Sequence, residues 1–224
     1  MKIKVLTLFP EAYAGLTVGI LGKALESNKF ELEIYNVRDY SADKHKKCDD
    51  YPFGGGAGML MTPQPIYDAV QAADPSHECL RVYMSPRGKT FTQNQAVELS
   101  KKDNLLFLCG SYEGVDQRVI DLCIDEEISI GDYVLTSGDL PCMVVINAVS
   151  RYIDGVLGSE SSTDEESFSE GLLEYPQYTR PQEFMGLKVP DVLLSGHHEE
   201  VAKWRRAKQI EITKALRPDL LEKK

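Results

Sequence analysis

Short apolar runs recur along the chain, each stopped by a proline, a glycine or a polar turn. Val5-Leu6-Thr7-Leu8-Phe9 ends at Pro10, Glu33–Val37 precedes a polar stretch, Arg81–Ser85 runs into Pro86-Arg87-Gly88, and Leu105–Cys109 stops at Gly110. Runs of this length bounded by turn residues predict buried strands. Helical spacing fills the intervals. Leu16–Glu26 reads as a helix interrupted by Gly19 and Gly22, and Pro65–Ala73 as a second. Gln93–Lys101 follows Thr92, whose hydroxyl suits an N-cap. Val115, Val119 and Leu122 mark one helix face. Cys142, Ile146, Val149, Ile153 and Val156 continue that spacing and predict a longer helix with Pro141 in its first turn. Strands alternating with helices predict an α/β fold.

Two stretches break the alternation. Asp39–Thr62 is a long polar connection centred on Tyr51-Pro-Phe-Gly-Gly-Gly-Ala-Gly-Met59, and a loop of that length in a compact domain is a functional candidate. It is not a phosphate loop, because no Lys-Ser/Thr follows its glycines; Gly88-Lys89-Thr90 has that ending, but Tyr83 stands where the first glycine is required. An ATPase or GTPase is thereby disfavoured. Ser159–Glu170, reading SESSTDEESFSE, has little to bury and reads as a linker. The expected division is residues 1–158, a linker at 159–170, and residues 171–224.

Composition changes this picture in two places. The 224 residues carry a net charge of −10, which argues globally against a nucleic-acid binder. The charge is uneven, however: residues 1–174 hold 15 Lys+Arg against 28 Asp+Glu, whereas residues 175–224 hold 10 against 7. Arg38 and Lys44-His-Lys-Lys47 form a further basic island, and separated patches of this kind contact phosphates even on an acidic protein. The five cysteines form no CxxC pair and suggest neither a disulfide framework nor a zinc site. Pro10 and Glu11 interrupt the N-terminal apolar run, and no apolar stretch approaches a membrane span, so a cytoplasmic protein is expected.

Candidate chemistry concentrates between Cys109 and Pro141, CGSYEGVDQRVIDLCIDEEISIGDYVLTSGDLP. Two glycine-rich loops, 110–114 and 129–138, flank a helix and a strand-like segment, which brings both to one edge of a sheet. Glycines let main chain approach a ligand closely, while Tyr112 and Tyr133 offer flat apolar surface with a polar tip. That combination suits a nucleoside-like ligand better than a bare metal.

CGxYEGVDxR followed by SIGDYVL resembles the S-adenosylmethionine site of the bacterial tRNA (guanine-N1)-methyltransferases that modify guanosine 37, in the SPOUT superfamily. The glycine-rich loop, the acidic segment and LLEYPQYTRPQEFMGLKVPDVLLSGHHEEVAKWRR resemble that family in the same order, so the likeness spans nearly the whole chain. It implies a parallel-sheet SPOUT domain threaded as a trefoil knot at the cofactor site, a small, mainly helical C-terminal tRNA-binding domain, and a homodimer with shared active sites. For the methyl donor it implies Tyr83, Met84, Ser85 and Pro86 on one loop, and Gly110, Tyr112, Glu113 and Gly114 on the next. Ser129, Ile130, Gly131, Asp132, Tyr133, Val134 and Leu135 follow, then Gly138 and Pro141. Ser137 stands where the family often has glycine, and Met84 where leucine is common.

Methylating guanine N1 requires loss of its proton as negative charge builds towards O6, so a general base and a cation are expected. The resemblance assigns the cation to Arg151 and the base to Glu166, where the family's usual residue is aspartate; Asp164 competes for that role. The cations Lys203, Arg205, Arg206 and Lys208, on a helix of about 199–216, are expected to meet tRNA phosphates. Family members are described as magnesium-dependent, but no residue cluster here resembles a magnesium cage, and no protein-only metal site is expected. Alternatives are a SPOUT enzyme methylating a ribose hydroxyl and a non-catalytic RNA-binding protein.

Overall fold

The computed structural model describes residues 1–158 and 166–222. The chain divides into two compact units, residues 1–160 and 161–224. The first unit begins with β1 (Lys2–Thr7), a 3-10 segment (Pro10–Thr17), α1 (Gly19–Glu26) and β2 (Glu31–Asn36). A 3-10 turn (Val37–Tyr40) leads to the two-residue strands β3 (Asp49–Asp50) and β4 (Leu60–Met61), then α2 (Pro63–Ala73). After these come β5 (Leu80–Thr90), α3 (Gln93–Ser100), β6 (Asn104–Cys109), α4 (Gln117–Cys123), β7 (Glu126–Ser129) and α5 (Asp139–Ser150).

Five strands form one parallel sheet in the order β2-β1-β6-β5-β7, while β3 and β4 pair antiparallel inside the long glycine-rich connection. Alternate residues of each central strand feed two cores, as the pleat dictates. Leu105, Phe107 and Cys109 of β6 join Ile3, Val5, Val82 and Ile128 beneath the apolar face of α5 formed by Cys142, Val145, Ile146 and Val149. Leu106 and Leu108 face the other way, onto Ile66, Ala69 and Val70 of α2 and Val119, Ile120 and Cys123 of α4. All five cysteines are free and buried, and burial pushes the Cys109 thiol well above its ordinary range.

Several boundaries differ from those read in the sequence; the helix face expected from Val115, Val119 and Leu122 is one such case, because Val115 pairs with Met61 before α4 begins and Leu122 faces solvent, leaving Val119, Ile120 and Cys123 as the buried side. β1 ends at Thr7, because the Thr7 hydroxyl accepts the amide of Phe9 and Pro10 opens a 3-10 segment. The helix expected over 16–26 is split at Val18, which is extended, and Gly19, whose φ is 65°. β5 continues past Ser85 to Thr90, with a register shift between Met84 and Lys89. α5 stops at Ser150 rather than reaching Val156; Ile153 and Val156 lie in turns and still pack against the core, which is why helical spacing persists beyond the helix.

The second unit contains a hairpin of β8 (Glu183–Phe184) and β9 (Leu187–Lys188), turned by Met185 and Gly186 at positive φ, followed by α6 (Asp191–Leu194), α7 (His198–Leu216) and α8 (Asp219–Glu222). The buried Thr213 of α7 accepts the amide of Leu173 at 2.9 Å and donates to the Gln209 carbonyl at 2.6 Å, tying 172–174 to the helix.

Candidate cofactor site

The middle of β5, where its pairing shifts register, and the loops that follow β6 and β7 line one cavity of about 450 Å³. That volume lies within the range of small-molecule sites. The first segment, within β5, contributes Tyr83, Met84, Ser85 and Pro86; the second loop, after β6, contributes Gly110, Tyr112, Glu113 and Gly114; and the third loop, from the end of β7, contributes Ser129, Ile130, Gly131, Tyr133, Val134, Leu135, Gly138 and Pro141. Every residue expected at the cofactor except Asp132, which is exposed, therefore lies on one wall. The wall also contains Leu60, Arg87, Ser111, Val115, Gln117, Ile128, Thr136 and Ser137, which the motif likeness did not assign. Arg87 follows the assigned Pro86 in the chain and faces Gln117 at 3.3 Å, whereas Leu60 arrives from β4, at the end of the glycine-rich connection.

Close backbone approach explains the glycines. A Cβ at Gly110 would stand 2.8 Å from the Tyr83 hydroxyl, and one at Gly138 would stand 3.1 Å from Cys109 Cα, Gly110 N and Met84 Cβ. Gly138 donates its amide to the Gly110 carbonyl at 2.8 Å, and Ser111 pairs with Ser137 in an antiparallel bridge, so the second and third loops are laced together. In the third loop the Ser129 hydroxyl donates to the Gly131 carbonyl and the Tyr133 ring lies against Gly131. Burial raises the Tyr83 phenol above its usual range, with Glu127 adding to the effect.

The glycine-rich connection is fastened to the second loop. Met61 donates to the Gly114 carbonyl, Glu113 to that of Met59 and Asp116 to that of Met61. The Glu113 side chain lies against Gly58, where a Cβ would come within 2.5 Å of it. Asp116 caps α4 by accepting the amide of Arg118.

Beneath the wall, Asp139 in the first turn of α5 is buried and accepts hydrogen bonds from Thr7 Oγ1 at 2.6 Å, Tyr13 Oη at 3.1 Å and Ser137 Oγ at 2.8 Å. Tyr13 Oη also lies 3.1 Å from Cys109 Sγ, and its own titration is pushed upward, chiefly by burial and then by Cys109.

Arg151 is not on the cavity wall; it is the C-cap of α5, whose opposite end borders the cavity. Twelve residues at about 1.5 Å each separate the two ends by roughly 18 Å. Glu166 belongs to the second unit, where its carbonyl accepts the hydroxyl of Ser169 at 2.8 Å in a turn that continues through Phe168 at positive φ. Asp164 lies outside the described residues. On α7, Lys203 pairs with Glu200, Lys208 with Glu211 and Arg206 with Glu170, and Arg205 sits 4.7 Å over the Tyr175 ring. The four cations expected at phosphates therefore already have partners within the unit. Among the described residues no three His, Cys, Asp or Glu side chains gather as a metal-binding group, and no helix is long and apolar enough to cross a membrane.

The family model described as tRNA (Guanine-1)-methyltransferase TrmD matches residues 1–223. The chain belongs to this family. Among curated TrmD-type relatives, the tRNA (guanine-N(1)-)-methyltransferase of Alkaliphilus metalliredigens is 55% identical over 99% of this chain and 92% of its own length. That of Clostridium beijerinckii is 57% identical over 100% of this chain and 93% of its own, and that of Clostridium perfringens strain SM101 55% identical over 100% and 94%. Family membership over essentially the full length covers both units, and the cavity loops and the turn at Glu166 all lie inside the matched range.

Proposed function

We propose that this protein transfers a methyl group from S-adenosylmethionine to N1 of guanosine 37 in tRNA, in the cytoplasm and as a homodimer with shared active sites. The observation that carries this reading is the convergence of three segments that resemble the family's cofactor motifs on one cavity, in a chain that matches the TrmD model over residues 1–223. The cavity's donor set fits the methyl donor: tyrosines and aliphatic side chains offer surface for a base, glycines bring backbone amides close, and the buried Ser111 hydroxyl has no partner among the described residues. When bound, that molecule supplies an electrophilic methyl group on a cationic sulfur.

The chain's own residues then have two tasks. Glu166 takes the N1 proton, and Arg151 holds the charge that develops on O6. The roughly 18 Å between Arg151 and the cavity end of its own helix is too long for one side chain, and this favours an active site completed by a second copy. Exposed apolar residues support such a dimer. Leu140 and Val144 form a stripe on α5, and Val18 and Ile20 lie exposed where the 3-10 segment, which packs on α5, meets α1. A trefoil thread is supported by the third loop, which leaves edge strand β7 and returns to lodge Gly138 between β5 and β6. The second unit acts as the tRNA-binding domain. Its exposed ion pairs contribute little to folding and can be exchanged for phosphates.

The test is methyl transfer from labelled S-adenosylmethionine to unmodified tRNA transcripts carrying guanosine or adenosine at position 37. Wild type is expected to methylate only the guanosine transcript. Glu166→Gln and Arg151→Ala are expected to lose about 10²- to 10⁴-fold in rate while retaining cofactor binding, and mixing the two inactive variants is expected to restore part of the activity. Full activity in Glu166→Gln would reassign the base, and absence of transfer by wild type with cofactor bound would leave a binding protein.

A further inference from the structure

Ser137 on the cavity wall has its hydrogen-bonding capacity already oriented, and, unlike Ser129, which is held by the main chain of Gly131 in its own turn, it is held by a buried carboxylate. A serine hydroxyl offers one donor and two acceptor sites. The donor is spent on Asp139 Oδ2 at 2.8 Å, and one acceptor site takes the Asp139 amide at 3.3 Å. What remains for a ligand in the cavity is a single acceptor site. Asp139 cannot release this arrangement cheaply, because its other oxygen accepts from Thr7 and Tyr13 and the whole carboxylate is buried. Across the bridge from Ser137, Ser111 is also buried and its hydroxyl has no partner among the described residues, a second sign that this part of the wall is completed by a ligand.

We propose that Ser137, oriented by the positioning residue Asp139, accepts a hydrogen bond from an N–H or O–H group of the bound methyl donor and selects for that group. The proposal rests on the cofactor reading of the cavity. Four groups of the methyl donor have the required chemistry: the adenine amine, the two ribose hydroxyls and the amino-acid ammonium.

Titration of the full chain with S-adenosylhomocysteine and with its inosine, 2′-deoxy, 3′-deoxy and desamino analogues separates the four. Ser137→Ala is expected to weaken binding of the parent about three- to tenfold, to raise the KM for S-adenosylmethionine with kcat and the KM for tRNA little changed, and to abolish discrimination against one analogue. Asp139→Asn turns the amide towards Ser137 and frees the serine proton, so it is expected to shift the same KM, and the double variant is expected to be no weaker than Ser137→Ala alone. Retention of every discrimination by Ser137→Ala overturns the proposal, as does a loss in Asp139→Asn spread equally over kcat and both KM values. Gly110→Val, which drives a side chain into the Tyr83 hydroxyl, separates the two levels of inference. If Ser137→Ala binds like wild type while Gly110→Val is impaired, this proposal falls and the cavity stands; if both bind like wild type, the cavity reading falls with it.

Discussion

Gly138→Ala is a direct test of how the third loop is seated. The φ of Gly138 is −75°, so alanine meets no backbone penalty, and the whole effect comes from the space its methyl group would need. That methyl would lie 3.1 Å from Cys109 Cα, Gly110 N and Met84 Cβ, against an ordinary carbon contact of about 3.5–4.0 Å. The two sides of the gap cannot separate, because Met84 and Cys109 are register partners in the β5–β6 ladder. The 137–138 segment must therefore lift, stretching the 2.8 Å bond from Gly138 to the Gly110 carbonyl. Overpacking of about 1–3 kcal/mol and a weakened hydrogen bond of about 1 kcal/mol give a loss of roughly 2–4 kcal/mol. At about 2–4 °C per kcal/mol for a unit of this size, calorimetry is expected to show a fall in Tm of roughly 4–16 °C. Titration with S-adenosylmethionine is expected to show at least about tenfold weaker binding, since the lifted segment carries Ser137 and leads into Pro141 on the wall. Gly158→Ala, with nothing within 4 Å of its Cβ, is the control. A Gly138→Ala protein with unchanged Tm and affinity would show that the loop does not occupy this gap.

Two further outcomes concern charge. Asp74 and Arg81 form a buried pair at 2.8 Å, 3% and 5% exposed. Burial alone would raise the Asp74 pKa, but the Arg81 guanidinium and the amides of Glu78 and Cys79 outweigh it and hold the carboxyl below its usual range. A depressed folded-state value means stabilisation present above about pH 4 and lost as pH falls through the folded pKa; a urea-unfolding series from pH 6 to 2 should show this loss, and Arg81→Met, which strands the carboxylate, should cost about 3–5 kcal/mol at pH 7. On α7, Lys203→Glu with Lys208→Glu is expected to make the salt dependence of tRNA affinity shallower, by somewhat under one unit of log–log slope for each phosphate that is no longer neutralised, without altering S-adenosylmethionine binding. An unchanged slope would move the tRNA surface away from that face of α7.

The strands were legible because a parallel sheet covered on both faces needs unbroken apolar runs, and Leu105–Leu108 supplies one directly. The loops were legible for a different reason: backbone approach at Gly110 and Gly138 tolerates no larger residue without displacement, so the motif carries the geometry with it. What escaped the sequence depends on partners distant in the chain. The continuation of β5 through Pro86-Arg87-Gly88 to Thr90 is stabilised by pairing with β7, which lies some 40 residues later, and Lys89 and Thr90 have no strand signature of their own. The strand order and the arrival of Leu60 at the cavity are likewise long-range facts.

Asp139 is the most instructive of these cases. In the sequence it is one carboxylate among 35 acidic residues, in a loop whose Ser-Gly-Asp reads as an ordinary helix start. Its burial is possible only because three hydroxyl donors from β1, the first 3-10 segment and the third loop converge on it, while its place in the first turn of α5 favours negative charge. Those donors lie 132, 126 and 2 positions away, so no local window contains the reason for the residue. The same convergence turns a loop that glycine alone would leave permissive into one whose only side-chain hydroxyl next to Gly138 has a single direction left to offer. The serine at 137 and the buried acid at 139 thus have to be read as a pair, and substituting either one alone tests only half of the arrangement.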